Sequence, residues 1–260
     1  MNVITTTSCT HWSPLAAAPE GHAIRAGLIG DEYTDAYAVG LARLEANGRL
    51  SPRISSQNQA FYVMEGEGIA SLAGQHSAFC QGALIKVPRG VRHAIRNTAT
   101  TPLWLLAIQD PPMAAEADVT GLGHAQDLAS PHLEVARQDE HVPEVVNAAA
   151  MAWKAFEAPG VEGYELKPML VGEEHTDAYS VDLMRVAAGG FSAAHTDRGR
   201  HAFVILEGQG RLTVDGEPFD FRQGDIVKVP PGSLHAVHNV AGDPLVFLTI
   251  YDPPRRRKAG

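Results

Sequence analysis

QGDIVKVPPGSLHAVHN runs from Gln223 to Asn239, and QGALIKVPRGVRHAIRN runs from Gln81 to Asn97. They read as one pattern written twice. A glycine precedes a short run of Val, Ile and Leu. A proline turn stops that run, and a second run starts near a His and closes on an Asn. A short β-branched run ended by Pro-Pro-Gly is the signature of a strand meeting a turn.

The repeat extends N-terminally at constant spacing, with no insertion or deletion. FVILEGQG (Phe203 to Gly210) answers FYVMEGEG (Phe61 to Gly68), and VGEEHTDAYSVDLMRV (Val171 to Val186) answers IGDEYTDAYAVGLARL (Ile29 to Leu44). The copies end in YDPP at Pro254 and QDPP at Pro112. Two copies of one domain account for this, since a solenoid needs shorter and more numerous units. The expected boundaries are 1–112 for the first copy, 113–150 for a connector and 151–260 for the second.

Each copy reads as β. Asp215-Gly216, inside RLTVDGEPF, marks a two-residue hairpin between alternating residues. Many short strands at even spacing suggest a small antiparallel sandwich or barrel. The connector is rich in Ala and acidic residues, and Glu144 to Phe156 predicts a helical turn or two after Pro143. Trp12 and Trp153 are read as packing anchors at the entry of each copy.

Composition narrows the function classes. The chain has 260 residues, 45% hydrophobic and 20% charged, with a formal charge of -9. No basic face is evident, which argues against phosphate-backbone binding. The closing basic run from Arg255 to Lys258 is read as a solvated tail. Only two cysteines occur, Cys9 and Cys80, so no disulfide framework is expected. The first dozen residues lack a charged leader followed by an apolar block, and no run approaches a membrane span. A cytoplasmic protein without membrane or nucleic-acid partners is therefore the expectation.

The chemistry gathers in the second copy. His195 and Asp197 are two residues apart, so on a strand they share a face. His201 opens the next strand, and His235 follows the Pro-Pro-Gly turn. Three imidazoles and a carboxylate converging in one barrel suit Fe, Mn, Cu, Ni or Zn.

These residues carry a resemblance to the cupin family. One cupin motif is Gly, five residues, Pro-x-Gly, two residues, His, three residues, Asn. Gly224, Pro230, Gly232, His235 and Asn239 match it in full, as do Gly82, Pro88, Gly90, His93 and Asn97. The other motif is Gly, five residues, His-x-His, three or four residues, Glu, six residues, Gly. His195, Asp197, His201 and Gly208 match it with two substitutions, whereas Arg53, Ser55 and Gln59 stand at the ligand positions of the first copy.

The chain thus resembles a bicupin: all-β, two tandem jelly-roll barrels with a short, partly helical connector, the first without a metal set. The resemblance implies one divalent transition metal held by His195, His201 and His235. Asp197 is either a fourth ligand or a proton acceptor. Three imidazoles resemble the three-His cupins, mostly Fe(II) dioxygenases. The favoured expectation is therefore an Fe(II)-type oxidoreductase acting on a small oxygenated or aromatic metabolite, with Mn, Ni, Cu or Zn as other ions. A non-oxidative isomerase, decarboxylase or aminohydrolase is the alternative, and a non-enzymatic ligand binder the third. A homodimer is expected from the family's habit of sheet-edge pairing.

Differences between the copies carry the functional weight. His93 persists without partners and reads as a hydrogen-bonded residue of the fold. Thr34, Asp35 and Tyr37 recur as Thr176, Asp177 and Tyr179 and read as structural. His238 lies three after His235 and is expected at a surface or edge. His175, which replaces Tyr33, faces either pocket or fold. Arg53 either lines an anion pocket or forms a salt bridge at the rim.

Overall fold

The structure, a computed structural model, describes residues 3–6, 22–30, 32–112, 142–171 and 175–255. They are nearly all β, and the chain divides into two compact units. No helix among the described residues is long and apolar enough to cross a membrane. Trp12 and Cys9 lie outside the described residues.

In the first unit a six-stranded sheet has the order Glu144–Asn147, Ala83–Val87, Asn58–Glu65, Leu103–Asp110, Ala38–Leu44, His22–Ile29. A four-stranded sheet has the order Arg49–Ile54, Arg92–Asn97, Glu67–Leu72, Gln75–Cys80. The alternation read from the sequence appears as alternating burial, and the inward side chains form one apolar cluster. Phe61, Ile85, Leu105 and Ile95 lie within it, all fully buried. Burying each such side chain contributes about 1.5–3 kcal/mol.

The second unit repeats the plan. Ile4–Thr6, Asp225–Val229, Arg200–Glu207, Leu245–Asp252 and Ser180–Ser192 follow in the same order, with Val161–Leu170 on the far side. The strand Ser180–Ser192 continues past this sheet to pair Phe191 with His238, joining the smaller sheet of Leu234–His238, Gln209–Val214 and Glu217–Arg222. Two segments add to a sheet remote from them in sequence. Ile4 pairs with Val227, and Val145 pairs with Ile85.

The turns are as their residues dictate. Asp215 and Gly216 both have positive φ, 51° and 90°, the twist a two-residue hairpin needs. The helical expectation after Pro143 is corrected. Glu144–Asn147 is a strand, because Val145 and Val146 are β-branched and find the open edge at Ala83–Val87. A single 3-10 turn, Ala148–Ala150, follows, with the Ala149 amide donating to Asn147 Oδ1 at 2.9 Å.

Trp153 is half-buried, its ring flanked by Lys167 Nζ and the Arg185 guanidinium, each 4.4 Å from the centroid. Thr34, Tyr37, Thr176 and Tyr179 are buried, while Asp35 and Asp177 are exposed.

Candidate metal centre

Two loops build the site. His195 is brought beside His235 by strand pairing, the two being direct Cα partners. His201 opens the strand Arg200–Glu207 and pairs with Val229 and Tyr251. The amide of Gly232 donates to the carbonyl of Asp197 at 2.7 Å, locking the Pro-Pro-Gly turn onto the loop that carries the carboxylate. Gly232 has φ 74°, which an L-residue with a side chain rarely adopts.

Three of the four predicted residues form one group of ligand atoms, and His201 stands beside it against Asp197. A ligand atom from each of His195, Asp197 and His235 lies within 4.8 Å of the others. Asp197 Oδ2 is 3.1 Å from His201 Nε2 and 3.4 Å from His195 Nε2. The ring centroids of His195 and His235 are 4.3 Å apart, and those of His201 and His235 5.5 Å. His201 and His235 are buried, His195 is exposed and Asp197 half-exposed, so the cluster runs from the interior to the mouth of the barrel.

The tautomers follow from the backbone. His195 Nδ1 donates to the Ala193 carbonyl at 2.9 Å, and His235 Nδ1 to the Ser233 carbonyl at 3.0 Å. In the neutral rings both Nε2 atoms are therefore bare acceptors. With the carboxylate, three electron-pair donors face one another with no hydrogen between them. Such an arrangement is repulsive until a cation or a proton enters. Burial holds the His201 imidazole down to about 4, with the Asp197 charge opposing, and burial also lowers His235. Both rings are thus neutral at pH 7, the state a metal ligand needs.

A cleft of about 210 Å³ opens against the cluster, lined by Asp197, Arg200, His201, Tyr251 and Arg255 among others. Arg255 is not the solvated tail residue expected from the sequence. Its Nη1 donates to Asp182 Oδ2 at 3.3 Å, its Nη2 to the Tyr251 hydroxyl, and its amide to Ser180 Oγ at 2.9 Å. The apolar ring of Tyr251 under the guanidinium, 3.7 Å away, explains why it leaves solvent. Burial raises the Tyr251 phenol, so it stays protonated at neutral pH. Arg200 Nη1 donates to Asp252 Oδ2 at 3.2 Å on the opposite lip.

Asp182, Tyr251 and Arg255 were invisible as a group in the linear reading. The repeat itself held the signal, because Gly40, Gln109 and Met113 stand at the same positions of the first copy. A larger open groove of about 650 Å³, lined by Phe156, Tyr164 and Ala187, carries no imidazole. His238 is exposed as expected, and His175 is buried.

In the first barrel Arg53 pairs with His93 as His195 pairs with His235. Arg53 is buried, and no carboxylate among the described residues pairs with it, so the rim salt bridge is replaced by an interior guanidinium. Its Nε donates to His93 Nε2 at 3.4 Å, and His93 Nδ1 donates to the Val91 carbonyl at 3.0 Å.

The comparisons with known proteins agree with this architecture. A model of the cupin domain matches residues 40–109 and again 182–251. The chain belongs to the cupin family, with two cupin domains in tandem. It is 38% identical over 52 residues to an uncharacterized protein of Methanocaldococcus jannaschii, covering 20% of this chain and 42% of that one. The match thus spans less than half the length of that relative.

Among solved structures, the chain resembles the oxalate decarboxylase of Lactobacillus farciminis in its formate complex. The TM-score is 0.71 at 14% identity, covering 98% of this chain and 87% of that one. Bacillus subtilis oxalate decarboxylase, whose Mn(II) centres have been studied, gives a TM-score of 0.71 at 18% identity, with 98% and 78% covered. A putative glyoxylate-induced protein of Pseudomonas aeruginosa gives 0.72 at 14% identity, with 99% and 91% covered. At these identities the likeness establishes the fold.

Proposed function

We propose that the second barrel holds one divalent metal ion and acts non-oxidatively on a small carboxylic acid. The observation that carries this reading is the convergence of three ligand atoms, one each from His195, Asp197 and His235, within 4.8 Å of one another. His201 is the fourth donor, reached through Asp197. A carboxylate in the set favours a harder ion such as Mn(II) over the Fe(II) expected from three imidazoles alone. The Mn(II) centres of the Bacillus subtilis decarboxylase support that choice.

When bound, the ion supplies Lewis acidity that stabilises negative charge developing on a substrate oxygen. The protein's own groups do the rest. Arg255, fixed by Asp182 and Tyr251, and Arg200, fixed by Asp252, flank the cleft and orient a carboxylate. Tyr251 lines the same cleft and, kept protonated by burial, can donate a hydrogen bond to a substrate oxygen. A cleft of about 210 Å³ limits the substrate to a few heavy atoms.

Resemblance to decarboxylases favours the non-oxidative reading over the dioxygenase expected from the three imidazoles. Elemental analysis of protein purified without chelator should find about one divalent ion per chain, lost in His235→Ala. Small dicarboxylic and 2-oxo acids should then be consumed as fast under nitrogen as in air. Metal-free protein, or turnover that requires stoichiometric O2, would reject the proposal.

A further inference from the structure

We propose that the first barrel is also a binding site, one that takes a small monoanionic carboxylate on Arg53 at the position where the second barrel presents His195. The strand Arg49–Ile54 has an irregularity between Leu50 and Arg53 that re-aims its side chains. As a result Pro52 and Ile54 face solvent and Arg53 faces in, only 7% exposed.

What surrounds Arg53 leaves its charge unanswered. Its Nε makes a long bond to His93, and its Nη2 is buried without a hydrogen-bond partner. Gln59, 1% exposed and at the position of His201, has a buried Oε1 equally without a partner. No carboxylate among the described residues pairs with Arg53. Burial lowers the guanidinium to about 10, so it remains a cation at neutral pH. A buried unpaired charge costs several kcal/mol, and Arg cannot escape by losing its proton.

The missing component is therefore an anion, and the chemistry selects its kind. One guanidinium balances one negative charge. Its planar fork matches a planar carboxylate. Phe61, its ring 6.4 Å from that of His93, and the apolar cluster around it leave a dianion such as phosphate half uncompensated. The Gln59 amide can turn its NH2 to a second carboxylate oxygen. The two barrels then bind the same class of anion in different ways, one through a guanidinium and one beside a proposed metal. The first-barrel site does not depend on the metal reading.

The test is calorimetric titration of acetate into the full chain, stripped of metal and carrying His235→Ala, Arg200→Met and Arg255→Met to silence the second barrel. One saturable site per chain is expected. Adding Arg53→Met should weaken it at least about tenfold, and Arg53→Lys should weaken it less. Where Arg53→Met does not fold, the Arg53 Nε–H resonance of the His235→Ala chain decides, and acetate should shift it. Absence of saturable acetate binding, binding indifferent to Arg53→Met, an unmoved Arg53 resonance, or phosphate binding in preference to acetate would each overturn the proposal.

Discussion

The Gly232 amide donates to the Asp197 carbonyl at 2.7 Å, so the turn of one motif holds the loop of the other. Gly90 and Ser55 repeat the bond at 2.7 Å in the first barrel, where no set of imidazoles and carboxylates gathers among the described residues. The tie thus belongs to the fold, and the second barrel uses it to aim a carboxylate. Gly232→Ala meets no neighbouring atom within 4 Å but must hold φ 74°. It should cost about 1–2 kcal/mol in urea unfolding and, under the proposed function, also weaken metal retention, since Asp197 moves with the turn. Gly90→Ala should show the stability loss alone.

Asn239 closes the same motif from inside. Its Nδ2 is shared among the carbonyls of Val186, Ala187 and Asp243, at 3.1, 3.0 and 2.9 Å. Its Oδ1 accepts from the Ala241 amide at 3.0 Å. Asn97 makes the corresponding set with Leu44, Glu45, Thr101 and Ala99. Asn239→Ala strands buried carbonyls and should lower stability by about 2–4 kcal/mol, as should Asn97→Ala. Denaturant midpoints of the two variants, falling together, would mark both asparagines as structural.

Which parts of this were legible in the sequence follows from where their determinants lie. Asn239, His235 and Gly232 sit at fixed offsets in one hairpin-sized stretch, so the internal repeat and the resemblance to the cupin motif exposed them. The comparison of copies then separated Arg53, Ser55 and Gln59 from His195, Asp197 and His201. Asp182, Tyr251 and Arg255 meet only through tertiary packing across three segments, which no local pattern encodes. Glu144–Asn147 misled for the same reason: a free sheet edge, not local propensity, decided that stretch.

His93 gives the metal-free protein a pH signature. Burial, assisted by the Arg53 charge, lowers its imidazole to about 4 from an ordinary 6.5, against a hydrogen bond to Val91 that raises it. Between these values the unfolded chain takes up a proton that the folded chain refuses. Its contribution is therefore full above about pH 6.5, is lost as the pH falls toward 4, and amounts to roughly 3 kcal/mol. His201 titrates in the same window, so the comparison must be with His93→Gln. That variant should show a shallower loss of unfolding free energy between pH 7 and pH 4.5. Parallel curves for the two proteins would remove His93 from the account.

Arg255 joins stability to the proposed chemistry. Asp182 is buried, and burial raises its carboxyl while the Arg255 charge pulls it back. Arg255→Met leaves that carboxylate without its cation. The cost should be about 1–2 kcal/mol, reduced because the guanidinium itself is half-exposed. The Asp182 carboxyl should titrate higher still, readable by carbon-13 NMR. Under the proposed function, Arg255→Met should raise KM for a small carboxylic acid at least about tenfold, since one orienting charge is gone. Metal content should stay unchanged, because Arg255 contacts no donor of the cluster. Arg255→Lys keeps the charge but loses the fork that spans Asp182 and Tyr251, and should recover stability more fully than KM. An unchanged KM in Arg255→Met would leave Arg255 a purely structural residue and shift substrate orientation to Arg200.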